Sequence, residues 1–144
     1  MNGLFRELRD VTHLTDFSSN DYLGLSSIQY ESKLDDSTKK GSRLISGHSK
    51  DFDALEKQAA CFFKSEDALF FNSGYDANIG LFGSLLSRGD TYIYDQLVHA
   101  SIRDGMRLSH AASLSFKHND LLDLEAKLKK AKGHIVVITE SVFS

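Results

Sequence analysis

From Asp67 onward, short apolar runs alternate with longer segments of helical periodicity. Ala68–Phe71, Thr91–Tyr94, Ala112–Phe116 and His134–Thr139 read as strands. Between them Ala77–Ser87, His99–Ser109 and Leu121–Ala131 repeat apolar residues at the spacing of a helix face. Strands joined through helices return parallel to one another, by right-handed crossovers. The alternation therefore predicts an α/β fold with a mostly parallel sheet flanked by helices. Ile135-Val136-Val137-Ile138 is β-branched throughout, the pattern of a strand buried on both faces. Ligands of such sheets sit beyond the carboxyl ends of the strands. Asn72-Ser73-Gly74, Asp95–His99 and Glu140–Ser144 each follow a strand and are expected at one edge.

The stretch Asp67–Asn78 is the most suggestive of these. An apolar run ends in Asn-Ser-Gly and a helical pattern follows, so strand, tight turn and helix are expected. Gly74 lets backbone approach a ligand and take positive φ without a Cβ penalty. A helix start offers unpaired N–H groups and the positive end of the dipole, which suits a phosphate. Taken alone, Ser-Gly fits an ordinary βα turn equally. Upstream, Asp51–Lys64 is predicted helical, with Phe52, Leu55, Ala59, Phe62 and Phe63 on one buried face and Cys61 opposite.

Composition narrows the function classes. The chain has 144 residues, 41% hydrophobic and 26% charged, enough for one domain with a core. A net charge of −3 gives no sign of a nucleic-acid partner. No apolar run approaches the roughly 20 residues of a membrane helix, and Met1–Glu7 lacks the apolar core of a signal peptide. The single cysteine excludes an internal disulfide, and together these features point to the cytoplasm. The six histidines show no helical zinc spacing, so no metal site is expected. Gly-x-Gly-x-x-Gly is missing after every candidate strand, which argues against a dinucleotide-binding domain.

Six blocks lie in register along the chain: Phe17–Leu25, Gly41–Gly47, Asp67–Asn78, Asp95–Ile102, His118–Asp120 and Thr139–Ser144. In this order they resemble the α-oxoamine synthases, pyridoxal 5′-phosphate (PLP) enzymes of fold type I, from about Arg6 to Ser144. The resemblance implies a three-layer αβα architecture. Residues 1–47 would form an N-terminal segment with substrate and dimer loops, and 48–144 the first part of the PLP-binding major domain. It places Gly74 and Tyr75 at the cofactor phosphate, through backbone N–H and the tyrosine. His99 would be the catalytic residue stacked over the ring and within reach of substrate, and Ser144 would lie near the ring's phenolic oxygen. Arg6 is implied near the acyl substrate, Asn20 at the carboxylate of the amino acid, and Glu140 behind the site.

Without the resemblance these residues have plainer readings. Arg6 is a solvated charge, Asn20 a turn asparagine bonding its own backbone, and His99 an exposed helix-start residue. Glu140 could be a strand-end carboxylate.

The implied reaction joins an amino acid to an acyl thioester with loss of carbon dioxide. The nearest likeness in the family implies L-alanine and a pimeloyl thioester, on coenzyme A or acyl carrier protein, in biotin biosynthesis by a homodimer. A glycine C-acetyltransferase-type sibling and a non-catalytic truncated binding module are the alternatives.

The chain departs from the family pattern in two places. Phe52 stands where many relatives carry histidine, and Lys39-Lys40 precede Gly41 where the family is richer in glycine. The Schiff-base lysine, the aspartate partner of the ring nitrogen and a second histidine are all implied beyond Ser144. Lys127, Lys129, Lys130 and Lys132 lie on a charged helix face or at its end and match none of these positions. The expectation is an N-terminal fragment that is inactive alone.

Overall fold

The structure, a computed structural model, describes residues 42–143 together with the isolated positions 15, 23, 25 and 28. Arg6, Asn20 and Ser144 lie outside the described residues. The chain divides into two compact units, Met1–Gly47 and His48–Ser144. In the first, Arg43–Gly47 forms one π-helical turn, closed by Gly47 N donating to Ser42 O at 2.8 Å.

The second unit opens with α1, Lys50–Phe63. Ser49 caps it by accepting from Phe52 N, and Lys64 ends it in the left-handed conformation at φ 54°. The expected buried face of α1 is a correction. Only Glu56 and Ala60 are buried on this helix, while Phe62 and Phe63 are 79% and 74% exposed. Periodicity marks which face is apolar, but burial needs a neighbour, and none among the described residues covers this one. The run 67–71 is a second correction. It has no ladder partner among the described residues, so it forms no strand. Phe70 N donates to the buried Glu56 Oε1 at 3.0 Å and ties the run to α1.

Then come α2 (Gly74–Ser84), β1 (Thr91–Asp95), α3 (Ala100–Leu108), β2 (Ala112–Phe116), α4 (Leu121–Leu128) and β3 (Ile135–Ile138). The sheet is wholly parallel in the order β2-β1-β3, as the alternation predicts. Ile93 of the central strand pairs with Leu114 on one side and Val137 on the other.

The core gathers Phe82, Leu86, Tyr92, Val98, Ile102, Met106 and Ile138. Tyr92 is fully buried. Its hydroxyl donates to Phe82 O at 2.8 Å and accepts from Leu86 N at 3.1 Å, so the end of α2 is tied to β1. Leu81, Leu85 and Leu108 are 50%, 47% and 64% exposed. The expectation for β3 also fails on one face. Ile138 is buried but Ile135 and Val137, which share a face of the strand, are 40% and 44% exposed.

At the amino ends of the strands, Gly133 (φ +65°) lies so close to Gly89 that a Cβ would meet Gly89 O at 2.3 Å. That approach lets His134 N donate to Asp90 Oδ1 at 2.9 Å and Thr91 Oγ1 to Lys132 O at 2.8 Å, which sets the β1–β3 register. At the carboxyl end, the buried Asp95 accepts from Leu97 N (2.9 Å), Asn119 N (3.1 Å) and His118 Nδ1 (3.0 Å). It clamps β1 to the turn that precedes α4. Asp120 caps that helix, its side chain accepting from Asp123 N.

Helices α2 and α3 touch at Gly105, where a Cβ would meet Asn78 O at 2.7 Å and Phe82 Cβ at 3.0 Å. We expect Gly105→Ala to push the helices apart and to destabilise the chain by about 1–3 kcal/mol, the usual range for overpacking. Urea unfolding followed by circular dichroism checks this.

Burial pushes the Asp95 carboxyl up, but the amides of Leu97 and Asn119 and the His118 side chain outweigh it and hold the group below its ordinary value. A carboxyl depressed in the folded state contributes stability above its unfolded value, ~3.9. That contribution is lost as pH falls through the lower folded value. Asp95→Asn should cost about 1–3 kcal/mol at neutral pH and should flatten the acid-side loss of stability, measured as unfolding midpoints across pH.

Candidate functional site

The site is built at the start of α2 and the start of α3. Ser73 caps α2, accepting from Asp76 N at 3.0 Å and donating to Asp76 Oδ2 at 2.9 Å. The next free donors are the amides of Gly74 and Tyr75, which have no partner among the described residues. A Cβ at Gly74 would meet nothing within 4 Å. Gly74 does not take positive φ, so the expectation of a left-handed glycine is a correction. What the glycine provides is open space beside two unpaired N–H groups at the positive end of a helix dipole, where an anion is stabilised.

The phenol of Tyr75 turns from that space to α3, where its hydroxyl donates to Asp104 Oδ2. This bond pushes the Tyr75 phenol up from its ordinary value. Arg107 Nη1 donates in turn to Asp104 Oδ1 at 2.9 Å. A tyrosine held in this way leaves its backbone N–H, and not its ring oxygen, open toward the space beside Gly74.

His99 is the N-cap of α3. Its ring meets the Tyr75 ring edge-on, with centroids 6.2 Å apart and planes at 81°. Its backbone N donates to Glu140 Oε1 at 2.5 Å, which fastens the start of α3 to the segment after β3. Nδ1 accepts from Ser101 N at 3.2 Å and lies 2.7 Å from Ser101 Oγ. Asn78 Nδ2 donates to Ser101 Oγ at 2.8 Å.

Gly74, Tyr75 and His99 are thus brought together, with Glu140 behind His99. Asn78, Ser101 and Asp104 were not singled out from the sequence. Their one signal is position, since Asn78 and Ser101 fall in the two blocks that contain Gly74 and His99. His118 is not part of this cluster. It pairs with Asp95 and meets the Phe143 ring edge-on at 4.7 Å.

The lysines lie elsewhere. Lys127 and Lys129 pair with Asp123 and Glu125 on α4. Lys130 and Lys132 line a cavity of about 390 Å³ with Gly89, Thr91 and Ala112, at the amino ends of β1 and β2. An anionic group with a flat ring fits the residues present, with the amides of Gly74 and Tyr75 for its anion and the His99 imidazole beside its ring.

Comparison with known proteins identifies the family. Residues 12–144 match the family model described as aminotransferase class I and II. The chain is 42% identical over 142 residues to 8-amino-7-oxononanoate synthase of Marinobacter nauticus, covering 94% of this chain and 36% of that protein. The solved 8-amino-7-oxononanoate synthase of Francisella tularensis superposes with a TM-score of 0.67 at 32% identity, over 88% of this chain and 37% of that one. A serine palmitoyltransferase variant from S. paucimobilis, solved with PLP bound as its adduct with myriocin, gives 0.70 at 32% identity, over 74% and 28%. The chain spans between 35% and 42% of the length of the curated relatives it matches. With the parallel sheet and the clustered site, these likenesses bear out the resemblance read from the six blocks: the chain belongs to the class I and II aminotransferase family, on the side of the α-oxoamine synthases.

Proposed function

We propose that this chain is the N-terminal part of an 8-amino-7-oxononanoate synthase. The enzyme would condense L-alanine with a pimeloyl thioester, on coenzyme A or acyl carrier protein, with loss of carbon dioxide. The reading is supported by the amides of Gly74 and Tyr75, which have no partner among the described residues, and by the His99 ring that meets the Tyr75 ring edge-on. PLP, when bound, supplies the electron sink that stabilises a carbanion at the amino-acid α-carbon.

The residues of this chain bind and orient. Gly74 and Tyr75 would take the phosphate, and Asp104 keeps the Tyr75 ring turned toward α3. His99 would lie against the cofactor ring, at a height set by Glu140 and Ser101. Asn20 would contact the amino-acid carboxylate, Arg6 the acyl chain and Ser144 the phenolic oxygen of the ring. The lysine, aspartate and second histidine of the family pattern would come from sequence beyond Ser144, and a homodimer in the cytoplasm is the assembly we propose.

Filling the space at Gly74 should separate binding from folding. Gly74→Val is expected to weaken PLP binding at least about tenfold, equivalent to ~1.4 kcal/mol, and to leave the unfolding midpoint within the range of a surface change. Equal PLP affinity of the variant and the parent chain, by absorbance titration, would remove these amides from the phosphate site.

For the enzyme carried beyond Ser144, turnover is expected with L-alanine and pimeloyl-CoA. Comparing alanine, glycine and serine as amino acids decides the substrate. Turnover with glycine alone would assign the chain to the acetyltransferase-type sibling.

A further inference from the structure

His99 is fastened from beneath in a way that stacking does not require. Its Nδ1 receives the backbone N–H of Ser101 and faces the Ser101 hydroxyl at 2.7 Å. Ser101 is fully buried, so that hydroxyl has no water to turn to. One of its lone pairs takes a hydrogen from Asn78 Nδ2. A hydroxyl also has a hydrogen of its own to give, and the acceptor beside it is Nδ1. A nitrogen that accepts from an N–H and an O–H carries a lone pair. In the neutral imidazole the hydrogen then sits on Nε2. Among the described residues Nε2 has no partner.

We propose that Ser101 and Asn78 are positioning residues that hold neutral His99 as its Nε2–H tautomer. His99 then presents a hydrogen-bond donor above the cofactor site, and in this state it has no lone pair at Nε2 with which to act as a general base. What receives the bond is an oxygen acceptor of the bound cofactor or substrate, and that part rests on the proposed function. The tautomer itself is a property of this chain alone. Asn78 sets the direction of the relay. Its amide occupies the hydroxyl as a donor, whereas a carboxylate there would draw the hydroxyl hydrogen away from Nδ1.

The test uses the 144-residue chain with 15N-labelled histidine. Long-range 1H–15N correlation spectra are recorded about two pH units above the ordinary imidazole value of ~6.5. His99 is assigned by the signals that His99→Gln removes. The expected result is the Nε2–H pattern in the parent chain, a measurable Nδ1–H fraction in Ser101→Ala and in Asn78→Asp, and the parent pattern restored in Ser101→Thr. An Nδ1–H pattern in the parent chain would overturn the proposal, and so would an unchanged pattern in Ser101→Ala.

PLP titration of the same samples separates positioning from helix capping. Ser101→Ala should weaken binding about three- to tenfold, as expected for one lost hydrogen bond, and Ser101→Thr should restore it. A changed tautomer with unchanged PLP affinity would reduce the pair to a helix cap. No PLP binding by the parent chain would overturn the cofactor reading, while the spectra would still decide the tautomer.

Discussion

At Gly105 the missing side chain lets α3 lie against the backbone of α2 at Asn78 and Ile79. The spacing of the two helices is fixed there, and every polar bond across them depends on it. Asn78 reaches Ser101 one turn before Gly105, and Tyr75 reaches Asp104 beside it. The α2 end supplies the unpaired amides and the α3 end supplies the imidazole. A helix pair held a methyl group further apart would keep both sets of residues and lose their registration, since a hydrogen bond weakens steeply beyond its narrow distance range. Close packing at a buried glycine therefore controls the geometry at an exposed site.

The two ends of the sheet are secured differently, and the difference bears on function. At the amino ends, register comes from backbone closeness at Gly133 and from Thr91 and Asp90. At the carboxyl ends, carboxylates accept from backbone amides. Asp95 gathers the turns after β1 and β2, and Glu140 gathers the segment after β3 to His99. Loops that must hold a ligand cannot bury much apolar surface, so charge-assisted bonds to backbone take over the work of positioning. Asp95 tolerates full burial because three donors surround it.

Much of this was legible in the sequence. Helix starts at Leu121 and His99, and strand β2 over Ala112–Phe116, follow from periodicity and capping residues alone. What failed did so for one reason. The faces of α1 and β3 and the run 67–71 are apolar, and the sequence marks them as such. Whether a neighbour covers them is a tertiary fact that local pattern does not contain. The cross-helix bonds were hidden for another reason. Asn78, Ser101 and Asp104 are polar residues on helices, where a solvated face is the ordinary expectation, and nothing periodic distinguishes a buried serine from an exposed one. Gly74 and His99 were legible as site residues through the resemblance of the blocks that hold them; taken alone they read as an ordinary βα turn and an exposed helix start.

The electrostatics of the site follow from these bonds. Asp76, Asp104 and Glu140 place three carboxylates around a region proposed to hold a phosphate, which by charge alone would repel it. Each is already an acceptor within the protein, to Ser73, to Tyr75 and Arg107, and to His99 N respectively. These carboxylates orient protein donors, and in the proposed site the anion would meet N–H groups instead. An anion held by fixed amides at a helix start is bound by dipoles whose direction the fold has already set. Mobile cations would have to be ordered first, at an entropic cost. The same reasoning gives His99 its place. In the proposed tautomer the ring adds one outward N–H donor to the site without adding a charge.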